Sequence, residues 1–125
     1  MEYKPIAQLP KGTAEMLRGY LECAEWCGLQ DEDGEALELS VSPKWSEDSL
    51  RQAGEDCAAF LAENQAEIGD RLSEAGHDFW LTRNHHGAGF WDGDWEAGSR
   101  LTLDAHAYGG AWVEFDASTE TLSLR

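Results

Sequence analysis

Between residues 46 and 76 the apolar side chains Leu50, Ala53, Cys57, Leu61, Ile68, Leu72 and Ala75 recur at steps of three, four and seven. A helix puts such positions on one face; an extended strand scatters them over two. The run follows Pro43, starts near Ser46 and reaches Gly76, a natural glycine stop. A continuous helix of that length spans about 45 Å. Gly54 and Gly69 lie inside it, so the spacing predicts a kink or break, with Asn64 able to cap a second piece.

The remaining elements arrange themselves around this rod. Residues 1–12 read as an arm closed by Pro10 and Gly12. A first helix starts at Thr13 and buries Met16, Leu17, Tyr20, Leu21, Ala24 and Cys27, with Gly28 as its stop. A charged loop, QDEDGEALE, follows, and ALELSVS (36–42) alternates only weakly. In HDFWLTRNHHGAGFWDGDW (77–95), period-two alternation predicts a hairpin of strands 78–83 and 88–92. Phe79, Leu81 and Phe90 then share one face, and Trp80, Thr82 and Trp91 the other. A third helix carries Leu101, Ala105 and Tyr108 and closes at Gly109-Gly110. A last hairpin joins 112–116 to 119–124 around Ala117-Ser118. The order α, α, β, β, α, β, β predicts one α+β domain over 1–125. Its sheet would have about four strands, mostly antiparallel, with the helices on one face.

Charge narrows the partners. Twenty-five acids against nine bases give a formal net charge of -16. Such a surface repels nucleic-acid phosphates and anionic membranes and favours a basic partner. On a continuous helix Asp56, Glu63, Glu67, Asp70 and Glu74 fall within about 60° of one another, away from the apolar stripe. One helix is too sparse to copy a phosphate backbone, so Glu15, Glu22 and Glu25 of the first helix, or the DEDGE loop, would have to stand alongside. Trp80 and Trp91 either stand exposed as a contact patch or lie beneath the helices or the arm. Cys23, Cys27 and Cys57 read as buried free thiols in a reducing cytoplasm. No apolar run has the length of a membrane span and no signal-peptide core is present, so the expectation is a cytoplasmic protein.

Catalytic chemistry finds no matching pattern. His77, His85, His86, Asp92 and Asp94 are metal-capable types, but their spacing fits no known ligand set. There is no GxSxG elbow, and acid pairs such as Asp78 with Asp92 or Asp104 arise by chance in so acidic a chain. DEDGE begins like a calcium loop, yet position 6 is Ala36 and position 12 is Ser42, where glycine and glutamate are needed. The expectation is no enzyme, no metal and no cofactor.

CAAFLAENQAEIGDRLSEAGHDFWLTRNHHGAGFWDGDW (57–95) resembles a family of small acidic bacteriophage and prophage proteins. Their shared core reads AGHDFWLTRN, one variable residue, HGxGFWDGDW; GSRLTLDAHAYG matches too. The resemblance covers roughly residues 15–110. His85 falls at the variable position, so the His-His pair is not implied as a shared feature. The tail AWVEFDASTETLSLR departs from the Gly-Asp-rich tail expected of the family. The resemblance implies a phage context inside a bacterial host cell. Joined to the charge, it leads to a non-catalytic anti-defence inhibitor, anti-CRISPR or anti-restriction. Such a protein would bind the basic nucleic-acid site of a host protein or nucleoprotein effector through Asp56, Glu63, Glu67, Asp70 and Glu74. The alternative is a small adaptor that binds through Trp80 and Trp91.

Overall fold

The computed structural model describes residues 12–28, 44–85, 89–92, 95–116, 118–119 and 121–124. The DEDGE loop, the 36–42 segment and residues 1–11 of the arm lie outside them. Helix α1 spans Thr13–Gly28 and buries Met16, Leu17, Tyr20, Leu21 and Ala24, with Cys27 partly buried beside them.

Helix α2 spans Glu47–Ile68. Ser46 caps it: its backbone is extended (φ -66°, ψ 150°) and its Oγ accepts the Ser49 N–H at 3.3 Å. Glu47 and Asp48 complement the positive end of the helix dipole. Near its end Asn64 leaves helical geometry (φ -125°, ψ 23°) and its amide donates to the Phe60 carbonyl at 3.0 Å. The side chain competes there with the backbone ladder, which is how buried Asn bends a helix. Gly69 then takes φ +59°, closes onto the Gln65 carbonyl at 2.9 Å and ends the helix. The 46–76 rod is therefore two helices.

The second of them corrects the hairpin expected over 78–83 and 88–92. Helix α3 spans Leu72–Arg83, so Phe79 and Trp80 are successive helical residues, both buried, rather than opposite faces of a strand. Gly76 does not stop a helix; it lies inside α3 where α3 crosses α1. A Cβ on Gly76 would sit 2.0 Å from the Met16 carbonyl oxygen, and one on Gly19 would sit 2.3 Å from that of Ser73. The glycine signals backbone contact between helices, which outweighs its low helix propensity. Past α3 the chain returns through a 3-10 turn, Phe90–Asp92, whose Phe90 N–H donates to the buried Thr82 hydroxyl at 3.0 Å.

Helix α4 spans Gly98–His106 and buries Leu101 and Ala105. Strands β1 (Lys44–Trp45), β2 (Val113–Asp116) and β3 (Thr121–Leu124) form one sheet in the order β1-β3-β2. The final hairpin has the expected antiparallel form, with Phe115 opposite Leu122 and Asp116 opposite Thr121. Asp116 builds its turn by accepting from the Ser118 N–H at 2.9 Å and hydroxyl at 2.6 Å. β1 runs parallel to β3, so among the described residues the sheet is three-stranded and mixed rather than four-stranded and mostly antiparallel. The architecture remains α+β, but its order is α, β, α, α, α, β, β.

Aromatic rings join the layers. Phe60 of α2 stacks on Phe79 of α3 with centroids 4.4 Å apart, and on Phe90 at 5.5 Å. Tyr108, just past α4, meets Phe79 edge-on at 5.1 Å, and Trp95 meets Phe90 at 5.4 Å. Such pairs add about 0.5–1.5 kcal/mol each beyond area burial. The sheet is tied on by Ser49 of α2, whose hydroxyl accepts the Leu124 N–H at 2.8 Å.

Candidate functional site

Arg83, in the last turn of α3, is buried at 5% exposure. Its Nη1 donates to Asp56 Oδ2 at 3.0 Å and to the Tyr20 hydroxyl at 2.9 Å. Nε donates to the Gly109 carbonyl at 2.8 Å and Nη2 to that of Tyr108 at 3.0 Å. One guanidinium thus ties α1, α2, α3 and the chain after α4. Burial opposes its charge, but Tyr20 and Asp56 outweigh that and its pKa is raised. A cleft of about 230 Å³ lies over this node, lined by Tyr20, Gln52, Asp56, Arg83 and Tyr108 among others.

A cleft with shifted titratable groups is where catalysis is sought first. The shifts here hold groups in their inert forms. Burial pushes the Tyr20 hydroxyl and the Cys57 thiol up, against the lowering effect of Arg83. Burial likewise lifts Tyr108 to about 12 and, outside the cleft lining, lifts Cys23, beside Cys27, to about 12. Thiols so placed are poor nucleophiles at neutral pH. The geometry of the node is that of a tie between elements, with Arg83 bonded to four partners.

The five acids assigned to one stripe divide. Asp56 is consumed by Arg83 and also accepts from Gln52 at 3.0 Å. Glu67 pairs with Arg100 of α4 at 2.7 Å, and Glu74 with Arg71 at 2.6 Å. Glu63 is exposed on α2, and Asp70 is exposed in the break before α3. Asp70 lines a groove together with Glu15 and Arg18 of α1 and with Leu61 and Leu72. Trp80 is buried at 3% exposure against Tyr20, whereas Trp91 is exposed on the 3-10 turn. The two do not form a common outward face of a hairpin.

The histidines are dispersed. His77 lies 3.6 Å from Glu22, and His85 stacks on His106 with centroids 4.3 Å apart. His86 and Asp94 fall outside the described residues. Among the described residues no three His, Cys, Asp or Glu side chains converge as a metal set, and no helix is long and apolar enough to cross a membrane.

Two features escaped sequence reasoning. One is the destination of the arginines. Arg51, Arg71, Arg83 and Arg100 each sit on a carboxylate, leaving Arg18 and Lys44 as the exposed bases without one among the described residues. The other is Trp26, 69% exposed on α1. Its signal was available: it falls out of phase with Tyr20, Leu21 and Ala24 and in phase with Glu22. Comparisons with protein-family models, curated proteins and solved structures find no match. The site is therefore read from its own chemistry.

Proposed function

We propose that this chain is a non-catalytic accessory protein that binds a basic surface of a partner. The carrying observation is how the bases are used: Arg51, Arg71, Arg83 and Arg100 each pair with an acid of the chain, Arg83 from a buried position and the other three at the surface, while Glu15, Glu22, Glu63, Asp70 and Glu96 stay exposed. These exposed acids belong to a chain of net charge -16, and among the described residues they outnumber the exposed bases that lack an acidic partner. A partner of opposite sign gains both steering and register from such a surface. With the resemblance to phage and prophage proteins, the reading becomes an anti-defence inhibitor. It acts in the cytoplasm of a bacterial host cell and occupies the nucleic-acid site of a restriction or CRISPR effector.

The test is competition. Added to purified effectors of both classes, the protein should displace DNA in a mobility-shift assay at about 50 mM salt. It should do so far less at about 300 mM, where the Debye length falls below about 6 Å. The variant Glu15→Lys, Glu63→Lys, Asp70→Lys spares the carboxylates that pair with arginine and should abolish displacement. If it competes as well as the wild type, the acidic surface is not the binding surface.

A further inference from the structure

The four helices differ in how they finish. Peptide dipoles put partial negative charge at each C-terminus, which folds commonly offset with a cation in the last turn. α3 ends in Arg83 and α4 in His106. α2 has no base of its own there, but Arg100 reaches across to pair with Glu67 at 2.7 Å and to donate to the Glu63 carbonyl at 3.2 Å. α1 has neither: its last turn holds no base, and among the described residues no Lys or Arg pairs with it. It carries Glu25 instead, an acid at the wrong end of a dipole. Beside Glu25 stands Trp26, and one turn back stands the exposed Glu22. Residues four apart are neighbours on a helix, so Glu22 and Trp26 share one side of α1, where the Glu22 carboxylate also has His77 3.6 Å away.

The arrangement is unfavourable for an isolated helix and well suited to a cation from outside. A guanidinium stacks on an indole face and pairs with a flanking carboxylate at once, which an ammonium does less well. We propose that the C-terminal turn of α1 receives an arginine side chain of the basic partner, stacked on Trp26 and paired with Glu22 or Glu25. This rests on the basic-partner reading above and names the point of closest contact.

The test uses the full chain and a hexa-arginine peptide as probe, by calorimetry at about 50 mM salt. Trp26→Ala should weaken binding about five- to tenfold, and Trp26→Phe by less, because the phenyl face is the poorer cation acceptor. Trp112→Ala removes an equally exposed indole (61%) from the segment before β2 and should change affinity less than about twofold. Glu25→Lys separates a functional from a structural role. It should weaken peptide binding while raising Tm by about 1–4 °C, since it places a cation at the helix end. Equal affinity of Trp26→Ala and wild type overturns the α1 site and leaves the acidic-surface reading standing. Equal losses for Trp26→Ala and Trp112→Ala also overturn it. Failure of the wild type to bind hexa-arginine removes both readings.

Discussion

The C-terminal turns of α3 and α1 treat charge in opposite ways. At the first, Arg83 is enclosed and its donors reach a carboxylate, a hydroxyl and two carbonyls. At the second, Glu25 is half-buried and Trp26 exposed, and among the described residues no Lys or Arg pairs with either. Electrostatics closed on itself stabilises a fold; electrostatics left open is available to a partner. Both kinds occur at equivalent positions of neighbouring helices, so the difference lies in side-chain placement rather than in secondary structure.

The comparison breaks most sharply at the closed end. Arg83→Ala strands the partly buried Asp56 and two carbonyls, and should cost about 3–5 kcal/mol in urea unfolding. Arg83→Ala combined with Asp56→Ala should recover part of that loss; a purely additive double variant would show that the two residues do not act as a pair. A smaller effect is expected at the crossing that sets α3 against α1. Gly76→Ala drives a methyl group onto the Met16 carbonyl and should cost about 1–3 kcal/mol, with altered near-ultraviolet circular dichroism. A loss under 0.5 kcal/mol, on the order of a surface substitution, would mean the helices part easily there.

The smallest and broadest effect is alkaline. Tyr20 and Cys57 have folded pKa values above their unfolded ones, so the folded state holds their protons more tightly. Their contribution is complete below the unfolded values, near pH 8.5 for a thiol and 10 for a phenol, and is lost as pH rises through the folded ones. The urea midpoint should therefore decline from about pH 8.5 upward, and Cys57→Ala should make that decline shallower, Cys23 remaining as the other raised thiol. A midpoint flat to pH 11, roughly one unit above the phenol value, would mean that neither Cys57 nor Tyr20 holds its proton more tightly when folded.

What was legible in the sequence follows from range. α1, the start of α2, α4 and the last hairpin announce themselves through local periodicity, helped at α2 by the Ser46 cap. The segment 78–83 misled because a short apolar run fits a strand as well as a buried helix. The two patterns differ only in whether Phe79 and Trp80 are both inside, and both are. Gly76 misled because a glycine can end a helix or admit another helix, and only the neighbour decides. β1 has two residues and no pattern of its own; its pairing with β3 is set 77 residues away, at Lys44 and Thr121. The acidic stripe was assembled on the assumption of one straight helix. The break at Gly69 divides it, and the arginines that claim Asp56 and Glu67 arrive from 27 and 33 residues further along.

β3 occupies the middle of the sheet, yet it follows both of its neighbours in the chain. During synthesis Lys44–Trp45 and Val113–Asp116 wait without a partner until Thr121–Leu124 emerges, and the Ser49 hydroxyl waits for Leu124. Closing a loop of that length is slow compared with forming a helix turn. The helices are thus free to assemble first, and the sheet acts as a clasp shut afterwards. Deleting the four residues of β3 would not trim an edge; it would leave two unconnected strands and an unfastened α2.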